Sequence, residues 1–148
     1  MPWVVLFPLV LVWVGIGSPS KVLFATVAAS FPILLTTTAA VSTVDRRYLV
    51  LARALGASRL QLYTKLLIPF ALPQILSGLR LGTAVAIISV VTGEMLASLG
   101  GLGFIITYNR TQFETGHVYL GLLIAVALAL GANWLMNVLE RRVSWWAP

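Results

Sequence analysis

The chain contains no cysteine. A disulfide framework, a thiolate zinc site and thiol chemistry are therefore excluded. Acids are almost as scarce: Asp45, Glu94, Glu114 and Glu140 are the only four, and His117 is the only histidine. A hydrolytic centre or metal cluster would have to be built from almost nothing, so no catalytic residue, metal ligand or cofactor is expected. Charged residues make up 9% of the 148. What is present instead is apolar: 59% of residues are hydrophobic, and the mean hydropathy is +0.98. A soluble domain this small could not hide that much apolar surface, which must face lipid or other subunits.

The apolar residues fall into runs. Residues 3–16, WVVLFPLVLVWVGI, number fourteen, about 21 Å of helix against a hydrocarbon core of about 30 Å. Two readings stand for this run. One is a signal peptide cleaved near GIGSPS; the other is a transmembrane helix whose upstream end is missing. The lack of Lys or Arg before it favours the helix. Residues 22–41 are long enough to cross, with a kink expected at Pro32. Residues 81–99 and 118–139 are further spans. No internal repeat or low-complexity linker separates them. The expected architecture is one all-α, polytopic membrane bundle of about four spans, covering residues 1–148.

The net charge of +6 is explained by topology. Arg46, Arg47, Arg53, Arg59, Lys65 and Arg80 lie between the second and third spans, and Arg141 and Arg142 follow the last. These eight share one side; the opposite side holds only Lys21 and Arg110. The positive-inside bias assigns the larger set, and the C-terminus with it, to the cytoplasm. The charge is then poor support for a nucleic-acid partner, and none is expected.

One cytoplasmic stretch, ARALGASRLQLYTKLLIPFALP at residues 52–73, is broken and basic between apolar neighbours. Ser42 and Asp45 are both candidate N-caps for a helix through RRYLVLARAL. Gly56 stands where a left-handed residue closes such a helix. Ser58 and Gln61 have the spacing of a capping box for a second helix, RLQLYTKLLI. Pro69 is expected to end that helix, and Pro73 to open the next. Two readings follow: an amphipathic helix resting on lipid headgroups, or a shaped protrusion that docks into a partner's groove. The glycine elbow and the two stops favour docking.

These residues resemble the cytoplasmic signature loop of the inner-membrane permease subunits of binding-protein-dependent ABC importers. That loop reads glutamate, two alanines, three free residues, glycine, nine free residues, isoleucine, one free residue, leucine, proline. Ala52, Gly56, Leu66, Ile68 and Pro69 match in spacing. Val50 stands where the glutamate is expected and Leu51 where the first alanine is. The departure at Val50 bears on the ion-pair part of docking rather than on the elbow. LPQILSGLRLGTAVAIISVVTGEMLAS, GLGFII, VDRRYLVLARALGAS and LERRVSWW extend the likeness to the branch handling nitrate, sulfonates, taurine and pyrimidine precursors. Family members have about six spans and this chain matches the last four, so an N-terminally truncated permease is expected.

The resemblance implies residues 44–80 as the ATPase-coupling loop, with Ala52, Arg53, Gly56, Ala57, Ser58, Leu66, Ile68 and Pro69 as its working residues. It implies a separate cytoplasmic ATP-binding subunit, an extracytoplasmic binding protein and a second permease copy, in a transporter of the cell inner membrane rather than an enzyme. A non-transporting membrane anchor or assembly protein derived from such a permease is the alternative function, and a membrane-surface module a third.

Glu94, Ser89 and Thr92 are the substrate-pathway candidates. An ionised acid at the bilayer centre would cost on the order of 3 kcal/mol, so Glu94 is either functional or placed near the outer end, reaching headgroups or water. GGLG at 100–103 lacks the Lys and Ser/Thr of a phosphate loop and reads as a tight turn with close backbone approach. His117 reads as interfacial. Asn133 is a candidate hydrogen bond to another helix, and Gly82, Gly121 and Gly131 are candidate close-packing sites. Trp134, Trp145 and Trp146 suit the cytoplasmic interface belt.

Overall fold

A computed structural model describes residues 3–143, and among these there is no strand. A single 3₁₀ turn, Trp3–Leu6, leads into α1, Phe7–Val14, which Gly15 ends in a positive-φ conformation. Then come α2 (Ser18–Ser42), α3 (Arg46–Ala54), α4 (Arg59–Leu62), a π-helical turn (Tyr63–Leu67), α5 (Ile68–Leu96), α6 (Leu102–Thr111) and α7 (Thr115–Val143). Trp145 and Trp146 lie outside the described residues.

Among the described residues, three helices are long and apolar enough to cross a membrane: Ser18–Ser42, Arg59–Leu96 and Thr115–Arg141. The first apolar run forms only the short helix Val4–Val14, as its length required. None of α7's apolar window is buried within the chain, so that surface has lipid or another subunit to face.

The bundle is built around the α2–α5 pair, the most extensive contact in the fold. Small residues on one stripe of α5 let the two backbones approach. A side chain at Gly78 would strike Thr36, and one at Gly82 would strike Ile33 and the Ala29 carbonyl. Further up, Gly93 lies against Phe7 of α1, which itself meets Phe24 edge-on at 4.9 Å. The expectation for Gly82 and Gly121 holds, Gly121 sitting against Ile106 of α6, whereas nothing lies near Gly131.

Two expectations are corrected. Pro69 does not end the helix that begins at Arg59, nor does Pro73 begin a new one: Arg59–Leu96 is one continuous run of 38 residues. The π-turn explains how. The Ile68 N–H reaches back five residues to the Tyr63 carbonyl, so the ladder has already shifted register when it meets Pro69, which sits in the first turn of α5 where its missing N–H costs little. The second correction follows from the first. Arg80 is not a loop residue; it lies inside α5. Pro32 likewise sits inside α2 without ending it.

The helix α6 was not foreseen. Its ten residues are too few to register as a span, and the preceding glycines read as a turn. Gly101, at φ 111, is its N-cap. The turn into α7 is closed by the Phe113 N–H on the Arg110 carbonyl and the Glu114 N–H on the Asn109 carbonyl, the same pair of bonds that usually surrounds a glycine. Here Phe113 itself takes φ 60.

Candidate functional site

Residues 44–80 begin with an elbow that carries its own small core. Asp45, not Ser42, caps α3: its carboxylate accepts from the Arg47 N–H at 2.9 Å, while Ser42 is the last residue of α2. At the other end of α3 the Ala57 N–H bonds the Ala52 carbonyl and the Gly56 N–H bonds the Arg53 carbonyl, both at 3.0 Å. This double closure requires a left-handed residue, and Gly56 supplies it at φ 80. Ser58 and Gln61 then form the full capping box: Ser58 Oγ accepts from the Gln61 N–H at 3.3 Å, and Gln61 Oε1 accepts from the Ser58 N–H at 2.9 Å. Carbonyls left open at the end of α3 and an N–H left open at the start of α4 are thus met by the chain itself.

Between the two arms lie Val44, Leu62 and Leu67, all buried, with Leu49 and Ala52 packed against them. Ala52 is therefore an inward-facing residue, and a larger side chain there would push α3 off α4. Arg53 and Ser58 are exposed, Ala57 and Leu66 half-buried, Ile68 exposed, and Pro69 half-buried. The outer surface of the elbow is apolar as well as basic: Val50, Leu51, Leu55, Leu60 and Tyr63 are all exposed. A groove of about 510 Å³ runs past Leu55, Gly56, Gln61 and Lys65.

The pathway candidates do not converge. Five residues at about 100° each put Glu94 roughly 140° around α5 from Ser89. Ser89 is 2% exposed, on the small-residue stripe of Gly82 and Gly93, and its hydroxyl has no hydrogen-bond partner among the described residues. Thr92 donates back to the Ile88 carbonyl at 2.8 Å. Glu94, two residues before α5 ends, is enclosed by protein rather than reaching first for headgroups. Its Oε1 lies 3.4 Å from Lys21 Nζ, the two side chains being 14% and 16% exposed. Its Oε2 accepts from the Gly103 N–H at 3.0 Å, and Lys21 also donates to the Gly100 carbonyl at 3.3 Å. The carboxylate thus ties the start of α2, the end of α5 and the start of α6. The close approach expected of GGLG is present: a side chain at Gly103 would strike the Val91 carbonyl, and one at Gly101 would strike Glu94.

A second polar cluster was missed by sequence reasoning because Arg80 read as a loop residue. Arg80 Nη1 donates to Asn137 Oδ1 at 2.6 Å and lies 3.3 Å from Glu140 Oε2; Ser77 Oγ donates to Glu140 Oε1 at 2.8 Å. Asn137, not the exposed Asn133, makes the interhelical bond from α7. The available signal was the i, i+3 pair Asn137 and Glu140 on an otherwise apolar helix. Since Arg80 is 41% exposed, Glu140→Gln should weaken the α5–α7 contact by only about 1 kcal/mol. A double-mutant cycle with Arg80→Gln on thermal unfolding in detergent should return a coupling of that order, and additive effects would show the contact to be idle. His117, in the first turn of α7, is exposed and lies with its Nδ1 2.9 Å from Oε2 of Glu114, the residue before that helix.

Among the described residues, no group of three or more His, Cys, Asp or Glu could hold a metal.

The chain matches the family described as binding-protein-dependent transport system inner membrane component over residues 1–145. It is 35% identical over 146 residues to the riboflavin transport system permease protein RibX of Chloroflexus aurantiacus, covering 99% of this chain and 54% of the relative. It is 33% identical over 146 residues to the taurine transport system permease protein TauC of Escherichia coli, covering 99% and 53%. The formylaminopyrimidine transport permease protein ThiX of Halalkalibacterium halodurans is 32% identical over 130 residues, covering 88% and 52%. The chain spans about half the length of these curated relatives.

Proposed function

This chain belongs to the family of binding-protein-dependent transport system inner membrane components, and from that premise we propose that residues 44–80 dock onto a separate ATP-binding subunit and pass its movement to the spans. The subunit is a multi-pass membrane protein, and its role is to form part of a substrate pathway. The observation that carries this reading is mechanical. The elbow has its own core, caps on both arms and a fixed left-handed turn, and its second arm runs on as one 38-residue helix through the apolar span. That helix is about 57 Å long. A push on α4 is carried to the far end of α5 along one continuous helical run, through the π-turn at Tyr63–Leu67. A helix resting on headgroups would need none of these fittings.

The remaining parts follow from the family premise. An extracytoplasmic binding protein delivers the substrate, and a second copy of the subunit completes the pathway. The substrate is a small solute of the kind named for the relatives, such as taurine, aliphatic sulfonates or a formylaminopyrimidine. Nitrate belongs to the same resemblance. Working residues of the elbow are Ala52, Arg53, Gly56, Ala57, Ser58, Leu66, Ile68 and Pro69. Glu94, Ser89 and Thr92 are pathway candidates, of which Glu94 has the strongest geometry.

The docking side should be cytoplasmic, with the C-terminus on the same side. Because native cysteine is absent, Thr64→Cys and Thr107→Cys give clean single-site labels. Thr64 is exposed on the elbow's second arm, and Thr107 lies on α6 near the Lys21–Glu94 end. A membrane-impermeant maleimide should label Thr107→Cys in intact cells and Thr64→Cys only in inside-out vesicles. Labelling of both from one side contradicts the topology and the docking with it. The function itself is tested by co-isolating the full subunit with its ATP-binding partner and measuring hydrolysis with and without loaded binding protein. Stimulation is expected; a complex that forms and is never stimulated contradicts the reading.

A further inference from the structure

The elbow has a charge imbalance that its own fold does not resolve. Between residues 44 and 80 stand Arg46, Arg47, Arg53, Arg59, Lys65 and Arg80 against a single acid, Asp45. Asp45 is engaged in capping α3, and Arg80 is held by Glu140. Among the described residues, no carboxylate pairs with Arg53 or Arg59.

These two arginines line one cleft of about 450 Å³, together with Ala57, Leu62 and Tyr63. They enter it from opposite arms of the elbow, Arg53 from the last turn of α3 and Arg59 from the first residue of α4. Arg53 suits its place, since a cation is favoured at a helix C-terminus; Arg59 does not, since the first turn favours an acid. Local helix electrostatics therefore give no reason for the second charge. Two guanidinium groups beside one cleft repel each other, and a carboxylate between them would reverse the sign of that interaction while accepting hydrogen bonds from both. The cleft floor is the buried Leu62, and a cleft with an apolar wall holds an ion pair more tightly than open water does. Val50, one turn before Arg53 on α3, is exposed and stands where the loop this stretch resembles carries a glutamate.

We propose that the Arg53–Arg59 cleft receives an Asp or Glu side chain of the ATP-binding subunit, so that on this chain the ion pair of docking runs from arginine on the elbow to acid on the partner. The inference rests on the docking reading above and adds the sign of the charge. The cleft lies at the turn between α3 and α4, where the Gly56 closure and the Ser58–Gln61 capping box hold the two arginine-bearing arms in one geometry; a built, paired-arginine site of this kind favours a carboxylate of a partner protein over a mobile lipid headgroup as its occupant.

Carbodiimide cross-linking of the assembled complex tests it. The reagent activates a carboxyl group; a lysine amine displaces it, forming an amide as the reagent leaves as its urea. Arginine does not react, so Arg53→Lys or Arg59→Lys installs a reporter where the wild type has none. The expected result is an amide between residue 53 or 59 and an acid of the ATP-binding subunit, absent from the wild type, whose Lys65 serves as background. In parallel, the double variant Arg53→Gln, Arg59→Gln should bind the ATP-binding subunit about tenfold more weakly at low salt and lose most of its salt dependence. If neither lysine cross-links and the glutamine variant binds normally, while cysteine cross-links elsewhere on the elbow still reach the subunit, the charge proposal is overturned and docking stands. If no elbow position reaches the subunit, docking itself fails. If the glutamine variant changes only binding to vesicles containing phosphatidylserine against pure phosphatidylcholine, the cleft serves lipid and the proposal is overturned.

Discussion

If the elbow docks as proposed, replacing Gly56 by valine is expected to uncouple it from the ATP-binding subunit while leaving the chain inserted. The residue holds φ 80, a region that costs an L side chain roughly 1–2 kcal/mol and a β-branched one more. Space is not the obstacle, since nothing lies within 4 Å of where a Cβ would be. The strain is therefore purely conformational, and it is relieved by opening the turn between α3 and α4. Phe113 at φ 60 shows that this chain can force an unbranched side chain into the same region, so valine is the sharper substitution. No apolar surface of any span changes, and expression and insertion should stay near normal. Stimulation of ATP hydrolysis by loaded binding protein should fall severalfold at matched subunit stoichiometry, and uptake with it. An elbow resting on lipid predicts the opposite: valine adds apolar surface and leaves stimulation untouched.

The second large effect is expected at the Lys21–Glu94 pair. Both side chains are more than four-fifths enclosed. Lys21→Met leaves the Glu94 carboxylate with the Gly103 N–H alone, and Glu94→Gln leaves the Lys21 ammonium with the Gly100 carbonyl. Either single change should destabilise by roughly 2–3 kcal/mol, because an enclosed charge loses its partner. The double variant, neutral at both positions, should recover much of that loss. Uptake then separates two roles for Glu94. Recovery of thermal stability and uptake together means the pair only ties α2, α5 and α6. Recovery of stability without uptake assigns the carboxylate a part in the pathway. Singles no less stable than wild type would show that the clasp bears no load.

Much of the elbow is legible in the sequence, for a physical reason. Its turns are made by local chemistry: Asp45, Gly56, Ser58 and Gln61 act within a few residues of themselves, so spacing alone reveals them. The long helix was misread where a local rule met a wider context. Pro69 and Pro73 are stop signals in isolation, but a π-turn at Tyr63–Leu67 shifts the hydrogen-bond register before the first of them. A helix interrupted at these prolines would leave Arg80 in a loop, out of reach of Asn137; the continuous helix sets it beside α7 instead. The Glu94 clasp lay outside sequence reach for another reason. Its partner Lys21 is 73 residues away, and only the packing of α2 on α5 brings the two together. The burial of Ser89 depends on packing in the same way: it lies on the stripe of Gly82 and Gly93, which α2 and α1 approach closely.

The most direct measurement of the central claim is site-specific cross-linking from the elbow in the assembled transporter. Leu55 is 80% exposed at the end of α3, and the chain has no other thiol once Leu55→Cys is made. Leu99, 91% exposed between α5 and α6, provides the control at the opposite end. A maleimide-linked photoreactive probe at Leu55→Cys should give an adduct with the ATP-binding subunit, its yield changing when nucleotide is added, while the same probe at Leu99→Cys gives none. An adduct from Leu55→Cys with lipid alone, in a complex that still hydrolyses ATP on demand, would contradict the account.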